Sequence, residues 1–301
     1  MSQPNDTATA GPQDPEQAVP ADADVRLVVA DLDGTLLDAD SRIPPALWPL
    51  LDRMRAHGIV FVPASGRQYA TLRAMFERFA HTMPFIAENG GYVVRDGHEI
   101  DSTTLEPDVV AAVVARVREL VRHGADLGIV VCGKNSAYVE RHDEAFMAQA
   151  RIYYVALAEV DDVVTADDEI VKLAIYDFGH PERTTMPHLA EFEGSHRVVL
   201  SGKHWVDVMP AGVNKGLAVA SLQRELGIGR EQTAAFGDYL NDVEMLDAAD
   251  LSFAVANAHP QVKSHARAVI AANTDGGVIA ILTRLLEVRE QRREAVRPAQ
   301  P

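Results

Sequence analysis

With 301 residues and 47% hydrophobic content, the chain can bury one large α/β core or two ordinary ones, and its bulk composition is that of a globular protein. Its 44 acidic against 28 basic side chains leave a formal charge of −16, which excludes a general electrostatic attraction to nucleic acid or to an anionic membrane surface. Cys132 is the only cysteine, so an intrachain disulfide and a thiolate zinc cluster are excluded as well, in keeping with a reducing cytoplasm.

Residues 1–24 are rich in Pro, Asp, Ala and Gln, contain no lysine or arginine, and lack the apolar centre of a secretory signal; they are expected to form a disordered acidic tail. Residues 27–30 are continuously apolar, as in a strand buried on both faces of a parallel sheet, and run into Asp31-Leu32-Asp33-Gly34-Thr35-Leu36. Two acids one residue apart repel each other, so the pair is stable where a cation or a donor needs it. An ordinary strand-ending turn is the plainer use of Asp and Gly.

Residues 44–57 then have helical spacing, with Leu47, Leu50, Leu51 and Met54 on one face and Gly58 as a stop. A second strand, 59–63, leads into Ala64-Ser65-Gly66-Arg67 and a helix over 69–79. This βαβ alternation predicts a doubly wound, Rossmann-like parallel sheet. A short strand over 84–87 ends in Glu88-Asn89-Gly90-Gly91, and Asp96-Gly97 marks the turn of a hairpin.

From 107 the texture changes: a helix over 108–123, then strand-like runs at 127–131, 136–139 and 170–176, none ending in an acid or Gly motif. Residues 107–208 are therefore expected to be an inserted α+β domain, interrupting a core made of 25–106 and 209–289. The longest aliphatic stretch here, 109–117, is broken by Arg116 and is too short for a membrane span, so a soluble monomer or small homo-oligomer is expected. The core pattern resumes with a helix over 214–226, opened by Asn214-Lys215-Gly216, and a strand over 233–236 that ends in Gly237-Asp238-Tyr239-Leu240-Asn241-Asp242. A helix over 243–249, strands over 251–255 and 268–271, and a helix over 278–286 follow, and 290–301 form a charged tail expected to fray.

Asp31, Asp33, Ser65, Asp238 and Asn257 all fall just past the carboxyl ends of predicted strands, the edge at which open α/β sheets bind ligands. At this point the sequence resembles the haloacid dehalogenase-like hydrolases, and within them the Cof-type phosphatases with a large inserted cap. Four motifs carry the resemblance in order: DxDGT at 31–35, Ser65-Gly66-Arg67, Lys215 in Asn-Lys-Gly, and GDxxND at 237–242.

The resemblance implies a Mg²⁺-dependent phosphatase of small phosphorylated metabolites, such as sugar phosphates, FMN or pyridoxal phosphate. Asp31 is then the nucleophile that becomes an aspartyl-phosphate, and Asp33 the acid and base that serves the leaving group and the water. Mg²⁺ prefers hard oxygen ligands, here Asp31, the Asp33 backbone carbonyl and Asp238, with Asp242 as a ligand or as a group orienting one. By the same resemblance Ser65, Gly66 and Lys215 would bind the phosphoryl oxygens, and Asn241 would bind them or hold the loop. Only Lys134, Lys172, Lys203, Lys215 and Lys263 are lysines, which makes a lysine in the third motif the less open to chance. Thr35 hydrogen-bonds within its loop in the family, though a plain turn residue would also stand there. Tyr239 and Leu240 depart from the small or acidic residues of many relatives and bear on the wall of the site.

Substrate choice is expected to lie with the cap. Asn135, Tyr138, Arg141, His142 and Lys172 are candidate contacts for which an ordinary surface role is the commoner one, and Glu88 and Asn89 are expected to line the cleft. Two other functions remain open at this stage. A phosphotransferase or phosphomutase of the same fold would release little inorganic phosphate. A phospho-accepting regulatory domain would also use an aspartate, Mg²⁺ and a lysine, but would lack the inserted domain and the paired acids.

Overall fold

The computed structural model describes residues 12–296. Its strands, in chain order, are β1 (Leu27–Asp31), β2 (Val60–Ala64), β3 (Pro84–Ala87), β4 (Tyr92–Arg95), β5 (His98–Ser102), β6 (Leu127–Gly133), β7 (Ala137–Val139), β8 (Leu157–Glu159), β9 (Ile170–Asp177), β10 (His196–Leu200), β11 (Trp205–Pro210), β12 (Thr233–Gly237), β13 (Leu251–Val255) and β14 (Ala268–Ile270). They fall into two compact units, one running up to Pro63 and resuming at Gln223, the other comprising Ala64–Leu222.

In the first unit the strand order is β14-β13-β12-β1-β2, and the β1–β12, β12–β13 and β13–β14 pairs are parallel. Strands β1, β12 and β13 are buried at every residue, which is why their sequences are continuously apolar rather than alternating. Phe236 and Phe253 stack at 5.0 Å across β12 and β13. The helix Leu47–Ala56 buries Leu47, Leu50, Leu51 and Met54, as the sequence spacing predicts, and Gly58 follows with φ +71°, a backbone conformation that a side chain would resist.

Both tails differ from expectation within the described residues. Residues 15–18 form a short helix, Ala18 and Val19 are buried, and the Gln13 amide donates to the Val269 carbonyl at 2.7 Å on the open edge of β14. Two apolar residues and an unpaired sheet edge thus anchor a segment whose composition alone suggests disorder; residues 1–11 lie outside the described residues. The last helix runs Gly277–Val296 instead of stopping near 286. Glu290 on it bonds Arg53 at 2.9 Å and lies 3.4 Å from His57, while residues 297–301 lie outside the described residues.

The second unit carries the antiparallel β3-β4-β5 meander, and Ala64 at the end of β2 pairs with Ile86. Asp96 and Gly97 both take positive φ, 52° and 77°, so the hairpin turn is the type that matches strand twist. A six-stranded sheet follows, ordered β10-β11-β9-β6-β7-β8. One face buries Ile129, Val131, Leu173, Ile175, Val206 and Val208 with Val110, Val113, Val114 and Val117 of the helix Pro107–Arg122. The other buries Val130, Val171, Ala174 and Trp205 with Phe146, Met147 and Ala150 of the helix Glu144–Tyr153. That helix, β10 and β11 are absent from the sequence-based reading: β11 is a buried strand with Asp207 at its centre, which masks its apolar run.

Gly128 of β6 lies against the Phe146 ring, and a Cβ there would overlap it. Gly128→Ala is expected to lower stability by about 1–3 kcal/mol, the usual cost of overpacking, read as a reduced denaturation midpoint in urea.

Candidate active site

In the first unit, β1 ends on Asp31 and the chain turns at once through 32–36, with Leu37 N–H donating to the Leu32 carbonyl at 2.9 Å. Gly34 sits at φ +85°, and a Cβ on it would lie 2.6 Å from Asp238 Oδ2, so the loop needs glycine for both its conformation and its closeness to Asp238. Asp238 follows β12, the parallel neighbour of β1. Thr35, fully buried, donates its hydroxyl to Asp238 Oδ1 at 2.6 Å, a bond to the segment after β12 rather than within its own loop.

Oxygen atoms of Asp31, Asp238 and Asp242 lie within 4.8 Å of one another. Asp31 is 7% exposed and Asp242 0%. Three ionised carboxylates at this spacing repel strongly in a low dielectric, and their hard oxygens suit a divalent cation. Asp242 is held in place because its Oδ2 accepts from the backbone N–H groups of Asp238 at 3.0 Å and Tyr239 at 3.1 Å. Gly237 permits the approach, since a Cβ there would lie 2.6 Å from Asp242 Cβ. Asp33, two residues after Asp31, is exposed and its carboxylate stands outside this group. Asn241, beside Asp242, is partly exposed, as is Asp238.

Asn257, after β13, donates from Nδ2 to the Gly34 carbonyl at 2.7 Å and accepts from Asn273 N–H at 3.1 Å, while Asn273 Nδ2 donates to the Leu37 carbonyl at 2.8 Å. Asn257 therefore ties down the 31–37 loop. Sequence reasoning alone does not single out Asn273, whose one signal is an asparagine in the loop after β14.

In the second unit, Ser65, Gly66 and Lys215 gather around the Glu88-Asn89-Gly90 turn. Asn89 N–H donates to the Ser65 carbonyl at 3.0 Å, and a Cβ on Gly66 would lie 3.0 Å from Asn89 Oδ1. Gly90, at φ +99°, packs so closely on the Asn214 carbonyl and the Lys215 nitrogen that a side chain would overlap them. Asn214 Oδ1 accepts from Leu217 N–H at 2.8 Å, capping the helix Lys215–Leu226, and the Lys215 side chain is buried at 1% exposure. Ser65 is 2% exposed, and its Oγ accepts from Arg67 N–H at 3.2 Å, leaving the hydroxyl hydrogen to be donated.

Two expectations need correction here. Lys172 is not a surface residue: it is 3% exposed, with Nζ 2.6 Å from Glu88 Oε2 and 3.8 Å from Asp207 Oδ2. Glu88 is likewise enclosed, at 1% exposure, rather than lining an open cleft. A lysine inside the apolar run of β9 was the available signal, because a buried ammonium must be paired. Tyr138, Asn135 and Arg141 have local partners: Tyr138 and Asn135 bond Asp168 at 3.0 Å each, and Arg141 bonds Asp143 and Asp126.

A parallel sheet with a carboxylate cluster at the ends of β1 and β12 places hard oxygen donors at the edge where open α/β sheets bind ligands. The comparisons with known proteins make the class specific. Residues 28–282 match the family model for haloacid dehalogenase-like hydrolases. The chain is 34% identical to 5-amino-6-(5-phospho-D-ribitylamino)uracil phosphatase YbjI of Escherichia coli, over 87% of this chain and 97% of that protein. It is 26% identical to pyridoxal phosphate phosphatase YbhA of the same organism, over 84% and 96%. A solved haloacid dehalogenase-like hydrolase from Bacteroides thetaiotaomicron superposes with a TM-score of 0.77 at 25% identity, covering 87% of this chain and 99% of that one. The chain belongs to the haloacid dehalogenase-like hydrolases. Among the described residues no helix is long and apolar enough to cross a membrane.

Thr35→Val keeps the shape of the side chain and removes the bond to Asp238 Oδ1. With the cluster read as a cation site, the half-saturating concentration of divalent metal is expected to rise about 10- to 100-fold, the usual cost of losing a group that orients a metal ligand, as measured by metal titration of activity.

Proposed function

We propose that the chain is a Mg²⁺-dependent phosphatase that hydrolyses small organic phosphate monoesters through an aspartyl-phosphate on Asp31. The observation that carries this reading is the contrast between the two aspartates of one turn: Asp31 is buried in a carboxylate cluster, while Asp33 is exposed and outside it. One is thus placed to remain an ionised nucleophile beside a cation, the other to gain and lose a proton.

Asp31, Asp238, the Asp33 carbonyl and Asp242, directly or through water, are the groups that would hold Mg²⁺. The donor set fits, being carboxylates close enough to share one ion and otherwise costly to keep charged together. Bound there, Mg²⁺ would offset the charge of the carboxylates and of the dianionic substrate. The Asp31 carboxylate attacks phosphorus, the phosphorus–ester oxygen bond breaks, and Asp33 gives its proton to the departing alcohol. Asp33 then takes a proton from water, whose oxygen attacks phosphorus and expels the Asp31 carboxylate with release of inorganic phosphate. Ser65 donates its hydroxyl hydrogen to a phosphoryl oxygen, the N–H of Gly66 and the Lys215 ammonium add positive potential, and Asn241 contributes an amide.

Phosphorylated cofactors and their precursors are the substrates favoured by the names of the relatives, a ribitylaminouracil phosphate and pyridoxal phosphate among them. The residues from 107 to 208 would form the cap that selects among them and keeps bulk water from the intermediate. The single cysteine, buried in β6, fits a cytoplasmic enzyme.

Asp31→Asn is expected to reduce turnover of an aryl phosphate by at least about 10³-fold with an unchanged far-UV spectrum; near wild-type turnover would refute the nucleophile assignment. Chelation should stop phosphate release, with Mg²⁺ restoring it and Ca²⁺, larger and less demanding in geometry, failing to. Stoichiometric release of inorganic phosphate separates hydrolysis from transfer to a second substrate.

A further inference from the structure

The three consecutive carbonyls of the Ser65-Gly66-Arg67 loop each meet a different donor. Asn89 N–H reaches the Ser65 carbonyl at 3.0 Å, Glu88 N–H the Arg67 carbonyl at 3.1 Å, and Lys172 Nζ the Gly66 carbonyl at 2.9 Å. The first two donors come from one turn, in which Glu88 and Asn89 both take positive φ, 51° and 57°. The third comes from β9, the middle of the six-stranded sheet.

The carbonyl and the N–H of a trans peptide point in opposite directions. Fixing the Gly66 carbonyl therefore fixes the N–H of Arg67 in the same peptide plane, and that N–H donates to Ser65 Oγ at 3.2 Å. A hydroxyl that accepts from a fixed donor has its remaining hydrogen directed elsewhere. We infer that Lys172 is a positioning residue for phosphate binding, acting through the Gly66–Arg67 peptide to aim the Ser65 hydroxyl. This rests on the reading of Ser65 as a phosphate-binding group.

The cost of placing an ammonium here shows that the contact is built rather than incidental. Lys172, Glu88 and Asp207 are each less than 5% exposed, and an unpaired charge so enclosed would be prohibitive. Burial opposes the charged form of Lys172, but the attraction of Asp207 and Glu88 outweighs it and holds the lysine well above its ordinary value. Burial also raises Glu88 and Asp207, against the pull of Lys172. Glu88 Oε1 has no hydrogen-bond partner among the described residues, and its Oε2 meets Lys172 as a close charge contact, so the acids serve to keep the ammonium in place while its directed bond goes to Gly66. The same unit grips the helix that follows the loop: Gln68 exchanges two bonds with Ala156, and Thr71 bonds both the Tyr153 carbonyl and the Val155 N–H.

The test compares two variants of the full chain with Ser65→Ala, using competitive inhibition by inorganic phosphate, kcat and KM on an aryl phosphate, and Mg²⁺ half-activation. Lys172→Met combined with Glu88→Gln and Asp207→Asn leaves a neutral cluster of similar volume. It should raise the phosphate inhibition constant and KM about tenfold, as loss of one good hydrogen bond does, with Mg²⁺ half-activation unchanged. Lys172→Arg keeps a cation between the two acids and changes chiefly where its donors point. It should fold, with an unchanged far-UV spectrum, and raise the phosphate constant about two- to fivefold, so it decides the matter if the triple variant does not fold. Wild-type phosphate affinity in either folded variant, alongside weakened affinity in Ser65→Ala, overturns the role of Lys172 and leaves the phosphatase reading intact. Unchanged phosphate affinity in Ser65→Ala overturns the reading of Ser65 itself, and the role of Lys172 with it.

Discussion

The geometry of the first unit is governed by like charge. Three carboxylates with oxygens within 4.8 Å of one another, two of them buried, are a configuration that a folded chain adopts only if each is held from behind. The Thr35 hydroxyl holds Asp238, two backbone N–H groups hold Asp242, and Asn257 and Asn273 hold the loop that carries Asp31. The glycines follow from the same constraint, since Gly34 and Gly237 stand where a Cβ would push Asp238 or Asp242 away. The sheet supplies the registration: β1 and β12 are parallel neighbours, so Asp31 and Asp238 emerge side by side without any contact between their segments in sequence.

The second unit solves a different problem, that of orienting backbone. Ser65, Gly66 and Arg67 contribute peptide groups as much as side chains, and fixing a peptide's carbonyl orients its whole plane. The turn at Glu88-Asn89 does this twice from its own N–H groups, and Lys172 does it once with a charged side chain. A buried ion cluster is a weak source of net stability, because desolvation consumes most of the Coulomb gain. Its role at this point in the fold is directional: it places one charged donor on the Gly66 carbonyl.

How much of this was legible beforehand depended on whether the signal was local. The buried parallel strands β1, β12 and β13 were read correctly because a strand covered on both faces is a continuous apolar run, and the acids that end β1 and follow β12 were conspicuous against it. Ser65 and Lys215 stand in short motifs, and the structure brings both to the Glu88-Asn89-Gly90 turn. Strand β11 was not, because Asp207 interrupts its apolar run, and the meaning of that aspartate lies in Lys172 on β9, its antiparallel neighbour. The helix Glu144–Tyr153 also escaped, since its apolar face, Phe146, Met147 and Ala150, is short and becomes distinct only when packed against Val130 and Trp205.

Within the described residues both ends of the chain are more ordered than their composition predicts. Composition measures what a segment can bury by itself, and residues 12–24 can bury little. Here Val19 and Ala18 need only fill an existing surface, and Gln13 needs only an unpaired carbonyl on β14. Asp24 then meets Gln232, Arg26 and Arg289, and despite partial burial, which would raise it, its carboxyl is held below the ordinary value by those partners. A segment too polar to fold alone becomes ordered when the folded domain offers it partners whose own hydrogen bonds and charges would otherwise be left to water.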